Sequence, residues 1–129
     1  RHGRECLVGY HGSLLPEEMK SFEADRHVIF FEEQLADCQH VHVLGTGTTA
    51  FWLDTLRFDP RSWQHQNMSD LQLALEAAKQ GLPMVCLKRK ERFLKSLDMV
   101  QEDSIYAALL EDDTVQTELA QKLLGARVQ

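Results

Sequence analysis

Asp70 is the residue whose position most invites chemistry. It stands in the first turn of the strongest helical segment, directly after a polar loop over residues 57–67. Free N–H groups and the helix dipole hold and orient a carboxylate at such a place. Two roles are open to it: stabilising the helix start, or serving as a general base toward a hydroxyl within hydrogen-bond reach. Gly45-Thr46-Gly47-Thr48-Thr49 follows a strand-like run and reads as a tight loop, where backbone can approach another group closely. It is not a dinucleotide-binding turn. Position 50 is Ala rather than the third Gly, and Phe51-Trp52-Leu53 does not open an amphipathic helix. Lys88, Arg89, Lys90 and Arg92 form the one dense basic cluster, which is either a solvated surface run or a clamp for a diphosphate leaving group. His40 and His42 share a strand face, but no third ligand completes a metal site, so they read as structural histidines. Glu111-Asp112-Asp113 lies in a helical tail and reads as solvated surface.

The elements that must position these groups follow from pattern. Glu5 to His11 is a short apolar run closed by Gly12, a strand leaving into a loop; Ser13 to Asp25 reads as loop with at most a helical turn. His27 to Phe31 has the β-branched and aromatic content of a strand, and Glu32 to Asp37 is a polar connection. His40 to Leu44 alternates, with Val41 and Val43 on one face. Ala50 to Leu56 is apolar again. The helix after residue 67 has Asn67 or Ser69 as N-cap, capping-box pairings to Asp70 or Gln72, and a stripe of Leu71, Leu75 and Ala78 widened by Ala74. Gly81 and Pro83 stop it, and Leu82 to Leu87 is a buried strand. Glu102 to Leu124 has helical spacing as two helices broken near Asp112. A helix running through a Gly-Pro stop into an apolar strand is an αβ unit, and residues 1–129 read as a single α/β unit.

Composition narrows the classes. The chain has 129 residues, 43% apolar and 26% charged, with a net charge of −6, which argues against disorder and against a dedicated nucleic-acid binder. No run approaches the ~18 apolar residues of a membrane-spanning helix. The three cysteines, Cys6, Cys38 and Cys86, have no CxxC spacing and read as buried reduced thiols of a reducing compartment. The chain opens on Arg1 without an initiator Met and reads as part of a longer protein.

Four segments occur in order: Val8-Gly9-Tyr10-His11-Gly12, His42 to Phe51, Asn67-Met68-Ser69-Asp70-Leu71, and Gly81 to Leu87. With Asp112-Asp113 and Gln116-Thr117 they span roughly residues 5–117, and together they resemble the carboxyl-terminal half of bacterial glycosyltransferases of the GT-A nucleotide-sugar fold. The resemblance implies a Rossmann-like mixed sheet flanked by helices, and transfer of a sugar from a nucleotide-sugar donor to a glycan or lipid-linked acceptor in surface-polysaccharide assembly. It implies Asp70 as the base that deprotonates the acceptor hydroxyl, with His11 and the Gly45, Thr46, Gly47, Thr48 loop beside donor sugar and acceptor. Arg89 and Lys88 would meet the diphosphate. A divalent metal, Mn or Mg, would be held by a DxD motif upstream of residue 1, with no metal ligand in this chain. The family has "AFH" where this chain has Ala50-Phe51-Trp52, so Trp52 would replace a histidine and offer a sugar-stacking platform. Ser69 for Ala and Gln72 for Trp are milder departures. A cytoplasmic place follows, extending to the inner face of the membrane. An exposed sheet edge would promote self-association. The competing reading is a non-catalytic α/β binding or interaction module without a donor site.

Overall fold

The computed structural model describes residues 5–97 and 112–128. In chain order its strands and helices are β1 (Leu7–Gly9), β2 (Gly12–Leu14), α1 (Phe22–Asp25), β3 (His27–Ile29), β4 (Gln39–Val41), β5 (Val43–Leu44), α2 (Ser69–Lys79), β6 (Met84–Cys86) and α3 (Thr114–Val128). The chain is α/β, and its strands form two three-stranded sheets rather than one. The first has the order β1-β6-β4, with β1 parallel and β4 antiparallel to β6. The second has the order β3-β2-β5 and is antiparallel throughout.

β6 is central to its sheet because all three of its residues are apolar and buried, the pattern of a strand covered on both faces. The β1–β6 pairing is parallel because the chain returns through α2, which Gly81 ends at φ +70°, a left-handed conformation that glycine adopts without strain. The Leu82 N–H then bonds Ala77 O at 2.8 Å, closing the helix as its sequence predicts.

Three expectations about secondary structure change. Ser13 and its neighbours are not loop: β2 is the middle strand of the second sheet, held by backbone pairing to Val28 and Val43. Residues 40–44 are not one strand. The chain passes from the first sheet to the second at His42, so β4 and β5 belong to different sheets while Val41 and Val43 are both buried. The capping box of α2 does not form. Met68 occupies the cap position without a side-chain bond, Asn67 sits at φ 61°, and Ser69 and Asp70 point toward another loop.

α2 is buried on more than the expected stripe, adding Gln72, Leu73 and Ala77, because α3 covers it with Leu119, Ala120 and Leu123. Leu7, Leu44, Leu56, Leu71, Met84 and Leu123 are fully enclosed, each contributing about 1.5–3 kcal/mol of transfer free energy. α3 begins just after Asp112 and Asp113, and the expected helix before them lies outside the described residues. Asp113 is not solvated surface. It accepts from Ser21 Oγ at 2.6 Å and Glu23 N at 3.0 Å, fastening α1 to the start of α3. Among the described residues no cysteine is in a disulfide, and Cys38 is exposed rather than buried. No described helix is long and apolar enough to cross a membrane.

Candidate functional site

The chain passes from the first sheet to the second twice, and a half-buried histidine stands at each of these passages. Tyr10 and His11 join β1 to β2; His42 joins β4 to β5. The two crossings lie side by side: Gly45 N donates to His11 O at 2.8 Å, and His42 N donates to Ser13 O at 3.0 Å. The Gly45–Thr49 loop therefore folds directly over the His11 junction. Thr48 Oγ1 accepts from His11 N at 3.2 Å, and Thr49 Oγ1 donates to Gly45 O at 2.7 Å. The approach is close at Gly45, where a Cβ would lie 3.0 Å from His11 Cδ2 and the ring would have to give by a few tenths of an ångström. Gly47 faces open space instead.

The same loop reaches α2. Thr46 donates to Asp70 Oδ1 from its backbone nitrogen at 2.8 Å and from Oγ1 at 2.7 Å. With that hydroxyl proton committed to the carboxylate, Ser69 Oγ donates to Thr46 Oγ1 at 3.1 Å. Among the described residues no donor reaches Asp70 Oδ2. Asp70 thus has one restrained oxygen and one unbonded oxygen, and the residue lines a cleft of about 250 Å³. Its other walls come from His11, from Phe22, Glu23 and Arg26 around α1, from residues 67–69, and from Gln116 of α3.

His11 separates this cleft from a more apolar hollow of about 240 Å³ lined by Phe31, Gly45, Gly47 and Thr48. Phe30 meets its ring edge-on at a centroid distance of 5.6 Å, and Phe31 lies at 5.9 Å. Burial first, then the positive charges of Arg26 and Arg89, push the His11 imidazole below its usual range, against the opposing pull of Asp70 and Glu33. The ring is therefore neutral at pH 7.

The structure brings His11, Gly45 to Thr48 and Asp70 into one place. Trp52 and Lys88 line neither hollow beside His11, and both are exposed. Arg89 is 8% exposed, and its guanidinium donates to the carbonyls of Glu33 at 2.8 Å, Leu87 at 3.2 Å and Phe30 at 2.7 Å. Its fork is a strut that holds residues 30–33, and so the two phenylalanines, against His11. Glu23, Arg26 and Gln116 are the site residues that sequence reasoning did not single out for chemistry. Arg26 Nη2 pairs with Glu23 Oε2 at 2.9 Å, and its guanidinium lies over the Phe22 ring. Glu23 and Arg26 fall in or beside a polar stretch read as loop and Gln116 in a helical tail, and none of them carries a pattern that marks it.

No three His, Cys, Asp or Glu side chains converge as a metal site among the described residues. No protein-family model matches the chain, and no curated protein matches it.

Proposed function

We propose that this chain is the acceptor-side part of a nucleotide-sugar-dependent glycosyltransferase of the GT-A fold, with Asp70 as its general base. The observation that carries the reading is the presentation of Asp70 on the wall of a cleft: one oxygen is fixed by two donors from Thr46, and the other is unbonded among the described residues. A base needs that arrangement, a fixed approach direction with an open lone pair. An acceptor hydroxyl donating to Oδ2 would lose its proton there as its oxygen bonds to the anomeric carbon. On the opposite face the bond from that carbon to the diphosphate oxygen breaks, and the diphosphate leaves with the electron pair. The anomeric configuration inverts.

His11 and the Gly45–Thr48 loop would border the sugar undergoing transfer. In this reading Lys88, exposed and without an ion pair among the described residues, is available to a diphosphate, while Arg89 supports the aromatic wall. Trp52 offers an exposed ring for stacking. A divalent metal would neutralise the departing diphosphate. The described residues offer no ligand cluster for it, so it would be held elsewhere in the enzyme. Surface-polysaccharide assembly and a cytoplasmic or inner-membrane-associated place belong to the same proposal.

The Asp70–Thr46–Ser69 network also ties a loop to a helix, which favours a second reading: a binding module in which Asp70 is a fastener only. One substitution separates the two. In the intact protein, supplied with a UDP-, GDP- and dTDP-sugar panel and glycan acceptors, Asp70→Asn should lower kcat by about 100- to 10,000-fold. Donor affinity should be retained, because the base does not touch the nucleotide. Near-normal transfer by this variant ends the assignment of Asp70 as base.

A further inference from the structure

Residues 88–97 carry Lys88, Arg89, Lys90, Arg92 and Lys95 against a single acid, Glu91, in a chain whose net charge is −6. All of these cations except Arg89 are exposed, and the three lysines make no ion pair among the described residues. Interleaved with them stand Phe93 and Leu97, 61% and 82% exposed. Two large apolar side chains held in water so close together, ringed by cations, differ from the scattered exposure normal to a surface.

The segment is fastened rather than loose, and Glu32 is its anchor. Arg92 N donates to Glu32 O at 2.7 Å, and Ser96 donates to Glu32 Oε1 from its nitrogen at 3.2 Å and from Oγ at 2.6 Å. Arg92 stands at φ 55°, a left-handed conformation that is strained for a side chain of its size. The chain turns there, with Phe93 N donating to Lys90 O at 3.2 Å, and the Phe93 ring rests 5.6 Å from that of Tyr10. Residues 90–93 are all exposed, so the strained turn adds nothing to the core. What it does is display Phe93 between Lys90 and Lys95.

Charge and apolarity together select the occupant. Trp52 and Leu53 are also exposed, but Asp54 and Asp59 beside them offset Arg57 and Arg61 and set no charge preference. Residues 88–97 instead fit a partner that is anionic at its face and apolar just beneath it. A bilayer with anionic headgroups has both layers. A nucleic acid could meet the lysines and stack on Phe93, but it offers nothing to the aliphatic Leu97.

We infer that residues 88–97 form a membrane-docking loop. Phe93 and Leu97 enter the acyl boundary of an anionic bilayer, while Lys90, Arg92 and Lys95 meet its lipid phosphates. The inference goes beyond the acceptor-site reading: it names a surface and a lipid chemistry, and it stands or falls without Asp70. The loop is nonetheless next to the site. Tyr10, which carries the Phe93 contact, is the chain neighbour of His11, so docking sets the two hollows beside His11 near the headgroups.

The test is co-sedimentation of the full chain with phosphatidylcholine vesicles, with and without an equal part of phosphatidylglycerol. Binding should require phosphatidylglycerol and weaken as salt rises. Lys90→Gln with Lys95→Gln should weaken it about 30-fold, roughly fivefold per lysine. Lys88 is kept, since the diphosphate reading also claims it. Lys79→Gln with Lys122→Gln removes the same charge from exposed positions on α2 and α3 and should leave binding nearly unchanged. Leu97→Ser should weaken binding about tenfold with Tm unchanged, because the side chain is already in water. Equal binding to both vesicle types, or none to either, overturns the inference. Equal losses in the two lysine pairs, undiminished binding by Leu97→Ser, or tighter retention on duplex DNA than on vesicles overturns it as well. Each of those outcomes leaves the base assignment to the turnover of Asp70→Asn in the intact protein.

Discussion

Thr46 holds Asp70 by a single carboxylate oxygen, through its N–H at 2.8 Å and its hydroxyl at 2.7 Å, across a sequence separation of 24 residues. A helix-start aspartate ordinarily turns back to its own N–H groups. Here the cap position belongs to Met68, and the carboxylate is held by a loop from the sheet instead.

The first prediction concerns that grip. Thr46→Val removes the hydroxyl donor and the Ser69 contact but keeps the backbone N–H. If Asp70 is the base, kcat should fall about tenfold with KM little changed, the cost of one charge-assisted hydrogen bond. Thr46→Ser should restore most of it. Steady-state kinetics on the intact protein check this. Equal losses in Thr46→Val and Thr46→Ser would show that the hydroxyl is not what matters.

Arg89 supplies the second. Its fork satisfies three backbone carbonyls, two in residues 30–33 and one at Leu87 in its own segment, and its own backbone pairs with Leu35 in both directions. A lysine ammonium is a point charge on a flexible stem and cannot reproduce the planar fork. Arg89→Lys should therefore destabilise the fold by about 2–4 kcal/mol, measured by urea denaturation. A change within experimental error would contradict the strut role.

The third follows from His42. Its Nδ1 accepts from Leu15 N at 2.9 Å, so the neutral ring carries its proton on Nε2. Burial, and then Arg127, hold this imidazole below its usual range, and His11 is lowered as well. Between the lowered folded value and the ordinary one near 6.5, the unfolded chain binds more protons than the folded one. Stability should thus fall as pH drops through the ordinary histidine range and level off once the folded histidines titrate. Thermal melts at stepped pH should show this slope, and His42→Asn should retain only the part owed to His11. A flat profile for the wild-type chain would rule out the mechanism.

Much of this architecture is written in local pattern. The Leu71-Ala74-Leu75 stripe with its Gly81-Pro83 stop marks α2, and Met84-Val85-Cys86 marks a buried strand, because burial on a helix or strand imposes a period or an apolar run. β2 was not legible: Gly12-Ser13-Leu14 has no strand propensity, and its place depends on partners at residues 27–29 and 43–44. The sheet change at His42 was hidden for a related reason. Alternation records which side chains are buried, and Val41 and Val43 are buried whichever sheet holds them. At the site, Asp70 and the glycine–threonine loop stand out by residue type and position. Arg26 and Gln116 do not, since only the docking of α1 and α3 brings them near Asp70. The basic cluster misled in one member, because a guanidinium beside a sheet can serve carbonyls as well as phosphates.

α3 closes the cleft with Gln116 while Leu119, Ala120 and Leu123 clasp α2. The pocket is therefore stitched from residues near both ends of the described chain, and no contiguous stretch contains it. Any fluctuation that lifts the last helix opens the wall and uncovers the core in the same event. Occupancy of the cleft and intactness of the fold are consequently linked quantities. A ligand seated against Gln116 would slow amide exchange in α2 as well as in α3, so the helix that carries Asp70 would register binding at a distance.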